Sequence, residues 1–198
     1  MNDFQLWFFV GTGHLLDPGG FDHILYIALL TLSFPAAEWK KLVILITGFT
    51  IGHSIALAAA VTTNIHFPQA VVELLIALSI LLTGIFQLFR NVNGNTNKIR
   101  SNKILYGSTV VFGLIHGLGF SFLLRSMLGE AGNVFLPLLY FNLGLEAAQL
   151  IIVGLIILFS ILLSQVFKWR RQPIKIIFLC LLILVAAAIS VQRLLPLL

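Results

Sequence analysis

Charge is what this chain has least of. Only 10% of its 198 residues are Asp, Glu, Lys or Arg, against roughly 25% in a soluble domain, so there are too few polar groups to cover a globule in water. The single cysteine, Cys180, excludes an internal disulfide and a thiolate metal cluster. Set in FLCLLILV, it reads as a small hydrophobe. There is no repeat, no low-complexity tract and no second domain, and the one polar linker is RNVNGNTNKIRSNK at 90–103. No cleavable signal peptide is expected, because Met1-Asn2-Asp3 lacks a basic start. The alternation of apolar and polar residues that marks a membrane β-barrel is missing from runs such as LIIVGLIILFSILL.

What is present is apolar: 59% of the residues, with a mean hydropathy of +1.05. Six stretches approach or exceed the ~20 residues that cross a bilayer core, near 21–34, 42–63, 69–89, 104–124, 136–165 and 174–195. The chain is expected to be an all-α, polytopic transmembrane helical bundle forming one domain over 1–198. Residues 1–20 are apolar but short and interrupted by Gly11, Gly13, Pro18, Gly19 and Gly20. They read as an interfacial or re-entrant segment, with a seventh crossing as the alternative.

The net charge of +5 suggests topology rather than nucleic acid, because alternate connections hold 10 of the 12 basic residues. Lys40 and Lys41 fall in one, Arg90, Lys98, Arg100 and Lys103 in the next, and Lys168, Arg170, Arg171 and Lys175 in the third. Only Arg125 and Arg193 lie on the other side. By the positive-inside rule, loops 36–41, 90–103 and 168–175 face the cytoplasm of a bacterial inner membrane.

On that topology the ionisable groups converge. His14, Asp17, Asp22 and His23 stand at the outer start of the first span, and His53 and His116 lie some ten residues below the outer ends of theirs. Glu73 sits just inside the third. Asn142, Glu146 and Gln149 share one face of the fifth through their i, i+4, i+7 spacing. The inner half offers only Thr31, Thr47, Thr83, Gln87, Ser108, Ser160 and Ser164. A charge near the bilayer centre costs ~2.5–3.5 kcal/mol on insertion scales, and no Lys or Arg is expected inside the cluster, Arg125 being nearest and able to pair with Glu130. A captured cation relieves such a pocket, which should be open or nearly open to the outside; protonated carboxylates are the rival explanation. Imidazole with carboxylate suits zinc, nickel, cobalt, iron or manganese. Gly48 and Gly52 flank His53 in GxxxG spacing, as Gly113 and Gly117 flank His116, and small faces let helices approach closely.

His14, His23, His53, His116, Asp22 and Glu146 are therefore the expected metal contacts, with Glu73, Asn142 and Gln149 in supporting positions. His66 reads as a solvated loop residue, Asp17 as a turn former, and Ser54 as pointing away from the site.

GHLLDPGGFDH, FTIGHSIAL, FGLIHGLGFS and FNLGLEAAQ, in this order, resemble the HupE/UreJ family of small bacterial membrane proteins, the hydrogenase and urease accessory proteins, over nearly the whole chain. The resemblance implies nickel or cobalt movement across the inner membrane to supply metalloenzymes, with metal contacts at His14, Asp22, His23 and His116. Phe112 and Gly119 stand where the family's hydrogenase-type members carry a histidine and a glutamate, so this is a divergent member. Its partners are then the bilayer and a divalent transition metal, with no nucleic acid; a homo-oligomer and maturation partners stay open. Two functions fit. The first is a divalent-metal permease of the nickel and cobalt type. The second is an intramembrane zinc-dependent hydrolase with Asp22 or Glu146 as general base, acting on a lipid or lipid-linked substrate from the periplasmic side. The family resemblance favours the permease.

Overall fold

In a computed structural model, the structure describes residues 2–17, 20–63, 67–92, 98–128, 134–166 and 171–198, without the side chains of 98–102, 164, 166 and 171–173. They form seven helices: α1 (Asp3–Leu16), α2 (Asp22–Ser33), α3 (Trp39–Thr62), α4 (Gln69–Val92), α5 (Lys98–Leu128), α6 (Phe135–Val166) and α7 (Arg171–Leu194). No strand occurs among the described residues. The last five are long and apolar enough to cross a membrane. Their outward faces carry large apolar side chains such as Leu82, Phe89, Ile151 and Leu184, as lipid contact requires. The α5 helix starts six residues before the apolar stretch at 104–124, and Lys103, at the edge of that stretch, is exposed.

Helix ends follow from proline. Phe34 precedes Pro35 and is forced extended (φ −111, ψ 148), since the ring excludes α geometry from the residue before it; α2 stops there. Pro68 stands immediately ahead of α4, and Pro137 and Pro173 fall in the first turns of α6 and α7, where a missing N–H costs nothing.

The N-terminal segment departs from expectation. Gly11 and Gly13 do not interrupt it: α1 runs helical through both, started by a capping box between Asn2 and Gln5. Pro18 and Gly19 lie outside the described residues. Gly11 is a packing residue, because a Cβ there would fall on the carbonyl oxygen of Phe141, and one on Gly144 would fall on that of Phe8. The contact between α3 and α5 repeats this reciprocal pattern, with Gly52 against the Val110 carbonyl and Gly113 against that of Phe49. In both pairs each glycine meets the carbonyl three residues before the other glycine. Gly48 is less critical, with only the Val110 side chain nearby at 3.6 Å.

Phe4 packs edge-on against Tyr140 with ring centroids 5.1 Å apart, so α1 lies along the first turns of α6. The α2 helix lies further along the same helix, where its Thr31 and Leu32 share a groove with Ile156 and Ile157. The two short helices are thus arranged in series on α6, separated by residues 17–21. The basic ends meet where α2 stops: Lys175 Nζ donates to the Ser33 carbonyl at 2.8 Å, and the Arg90 guanidinium lies over the Phe34 ring at 4.4 Å.

Gly113→Leu should lower the midpoint of thermal unfolding in detergent by an amount corresponding to ~1–3 kcal/mol or more of overpacking. Gly107→Leu and Gly154→Leu, where an added Cβ meets nothing within 4 Å, should stay within about 0.5 kcal/mol of the parent.

Candidate metal centre

The glycine contacts set the histidines. His14 follows Gly11 by one helical turn, His116 follows Gly113 by one turn, and His53 is the neighbour of Gly52. Because helix backbones touch at these points, the imidazoles one turn away are held at short range. His23 enters from the first turn of α2. Ring centroids lie 4.8 Å apart for His14 and His23 and 5.1 Å apart for His23 and His116. For His14 with His53, and for His23 with His53, the separation is 6.0 Å.

One ring nitrogen from each of His14, His23 and His53 lies within 4.8 Å of the other two. His116 stands beside this trio, its Nδ1 2.8 Å from the Phe112 carbonyl, which turns Nε2 inward. The nitrogens are deeply buried: His53 is 0% exposed, His116 1% and His23 6%. His14 Nε2, both nitrogens of His23 and His53, and His116 Nε2 make no hydrogen bond of normal geometry; the Gly20 backbone and the Asn142 side chain are the polar groups that face His23 and His53. A polar group buried unpartnered costs on the order of 1–3 kcal/mol, so this cluster carries a large unmet demand for a ligand or for protons.

Of the cup expected to be open or nearly open to the outside, the described residues cover most. Phe120 lies on His14 with centroids 3.9 Å apart and stacks on Phe141 at 5.1 Å, while Phe141 stacks on His53 at 6.2 Å. The two rings roof the imidazoles, and only His14 is partly exposed. Tyr26, one turn below His23, presents a buried, unpartnered hydroxyl.

The carboxylates are held apart from the trio. Glu146 accepts from Thr47 at 2.5 Å, and Gln149 accepts from Thr50 at 2.9 Å. The polar face of α6 therefore spends two of its three groups tying α6 to α3. Asn142, the third, donates to the Leu138 carbonyl at 2.7 Å and leaves Oδ1 buried and unpartnered. Asp22 places one oxygen 3.7 Å from Arg193 and leaves the other buried without a partner. Glu73 is bonded to Arg193 and accepts from Gln69 at 2.8 Å.

Arg193 thus overturns the expectation that no fixed cation reaches the acids. It arrives from α7, the last helix, and bridges Asp22 on α2 to Glu73 on α4. The available signal was an arginine in the apolar VQRLL on the charge-poor side of the chain, where an acid partner is needed. Arg125 instead donates to the carbonyls of Ala60 and Thr63; Glu130 and His66 lie outside the described residues. Asp17 accepts from the Gly20 N–H at 2.9 Å, a turn as expected, and Ser54 bonds its own helix at the Thr50 carbonyl, 2.7 Å away. Gly119, the position of a family glutamate, would place a Cβ 2.9 Å from the far end of the Ile76 side chain on α4, which would have to shift to admit it.

Arg193→Gln should destabilise the fold by ~1–3 kcal/mol, because it strands two partly buried carboxylates. Adding Asp22→Asn and Glu73→Gln should recover most of that loss. Thermal unfolding of the single and triple variants measures the coupling, and additive losses would show that the three side chains act independently.

A family model described as HupE / UreJ protein matches residues 1–193. No curated protein and no solved structure matches the chain. With the match spanning nearly the whole bundle and all four converging histidines, the chain belongs to the HupE/UreJ family of membrane proteins.

Proposed function

We propose that the protein is a divalent transition-metal permease whose ion is carried on the imidazoles of His14, His23 and His53, with His116 as the adjoining ligand. One observation carries this reading: three imidazoles from three helices converge with buried, unpartnered nitrogens. Nitrogen donors favour nickel, cobalt, copper or zinc over magnesium and calcium, which demand oxygen. Nickel and cobalt are the ions that membership of the family implies.

Tetrahedral binding with metal–nitrogen bonds of ~2.0–2.1 Å brings donor atoms to about 3.3 Å from one another. The trio, within 4.8 Å, therefore needs to contract by up to about 1.5 Å. His14 and His23 lie on either side of residues 17–21, so a small shift of α1 against α2 both closes and opens the site. Discontinuous helices at a substrate site serve transporters in this way.

Access runs past the ion pairs. Arg193 and Glu73 are more exposed than His23, His53 and His116, and an arriving dication competes with Arg193 for the free oxygen of Asp22 on its way to the trio. By the positive-inside rule, the basic end at Lys175 and Arg90 faces the cytoplasm, so the site is loaded from the opposite side. The hydrolase reading needs a free carboxylate next to the trio as general base. Of its two candidates, Glu146 is engaged by Thr47 and Asp22 keeps one free oxygen beside Arg193, so it is the family membership that favours the permease.

Purified protein in proteoliposomes should accumulate nickel or cobalt. His53→Ala should abolish the flux and weaken binding by more than the ~10–100-fold that follows loss of a ligand's supporting partner, with the unfolding midpoint retained. Stoichiometric zinc that survives purification, together with an absence of metal flux, would overturn the permease.

A further inference from the structure

We propose a second ligand site, unconnected with the imidazoles: the groove between α2, α6 and α7 at the basic end binds an anionic phospholipid, one acyl chain lying in the groove and the phosphate on Lys175. The groove exists because α2 is only 12 residues long. It stops at Ser33, α6 continues past it for a further turn or more, and α6 and α7 make at most sparse contact among the described residues. The space left between them is about 420 Å³, within the ~300–1,000 Å³ typical of small-ligand sites. Its walls are apolar, with Leu32, Ile157, Phe178 and Leu182 prominent, and Lys175 stands at its edge.

Two polar features give the groove a direction. Lys175 spends one N–H on the Ser33 carbonyl, which leaves two of its three donors to face a ligand. Thr31, 3% exposed, lines the same groove with its hydroxyl oxygen buried and unpartnered. It lies about half a turn of α2, roughly 3 Å, before Ser33, deeper than the ammonium, where the glycerol ester of a lipid with its phosphate on Lys175 would sit. The hydroxyl then donates to the ester carbonyl.

The charge balance selects an anion. Arg90 lies over Phe34, a wall residue of the groove, and adds a second cation. The acid at this end is Glu38, and it is paired with Lys41 at 2.9 Å. Glu38 also acts on Arg90 and Lys175, so one carboxylate is set against three cations and positive charge is left in excess. Basic pockets between membrane helices recognise anionic headgroups in this manner, whereas a zwitterionic lipid brings its own ammonium group and gains little from them.

The test uses the full chain in detergent with dioleoyl phosphatidylglycerol or dioleoyl phosphatidylcholine, lipids with identical tails, and reads bound lipid by native mass spectrometry and stability by thermal unfolding. The parent should retain phosphatidylglycerol preferentially and be stabilised by it. Lys175→Gln should cut that preference about five-fold, the fold-change equivalent to ~1 kcal/mol per basic side chain. Ile157→Trp fills the groove without touching the cations and should remove bound phosphatidylglycerol while the protein stays folded. Inorganic phosphate should neither stabilise the parent nor compete; if it does both, the site is one for a free anion and the proposal fails. Equal retention of the two lipids, or a preference that survives in both variants, would also overturn it. Metal flux by His53→Ala has no bearing on the result.

Discussion

Where α3 crosses α5, side chains are absent from Gly52, Gly113 and Gly117, and carbonyl groups of the opposite helix occupy the space. The same reciprocal arrangement joins α1 to α6 through Gly11 and Gly144. In lipid no hydrophobic force drives helices together, because the tails are as apolar as leucine, and close backbone packing has to supply the attraction. These contacts fix more than helix spacing. Each lies within one turn of a histidine, so the approach that holds the bundle also sets how near its imidazoles come.

A bundle assembled in this way can keep groups buried that lipid alone would reject. Four imidazoles sit among Phe49, Phe120 and Phe141, with Tyr26 below them, and most of their nitrogens make no hydrogen bond of normal geometry. The acids that might have answered that need are engaged elsewhere. Glu146 and Gln149 tie α3 to α6, and Asp22 leans on Arg193, whose main partner is Glu73. The division has a physical logic. On the proposed permease reading, carboxylates held next to the imidazoles would deepen the trap for a divalent ion, whereas nitrogens under an aromatic roof would leave less charge to overcome on release. On the same reading, the discontinuity between α1 and α2, with a histidine on each side, is where that release would begin.

The two ends of the bundle treat charge differently. At one, Arg193 is balanced by two acids across three helices. At the other, Lys175 and Arg90 gather where α2 stops short, and the only nearby acid is already paired. The short first pair of helices underlies both features: α2 begins at the imidazoles and ends at the groove, so one 12-residue segment links the ion site to the lipid-facing, basic end.

Residue order alone determined much of this. Periodic apolar runs of bilayer length and the scarcity of charge specified an all-helical membrane bundle, and the small-residue spacing around His53 and His116 marked where helices would meet. The histidines were legible because an ionisable group in an apolar run is costly enough to need a reason. Three features were settled only by tertiary structure. Whether a carboxylate faces an ion or a threonine depends on which helix lies opposite, and no local pattern in FNLGLEAAQ distinguishes Glu146 bonded to Thr47 from Glu146 aimed at a metal. Arg193, 120 residues from Glu73 and 171 from Asp22, becomes their counter-charge only because α7 packs beside α2 and α4. Gly11 looked like a break in a short segment, since glycine weakens an isolated helix; set against the backbone of α6, the missing side chain is what allows the helix to form its contact. Local sequence carries propensity and burial, but the pairing of charges and the closing of a site depend on neighbours that only the folded chain brings together.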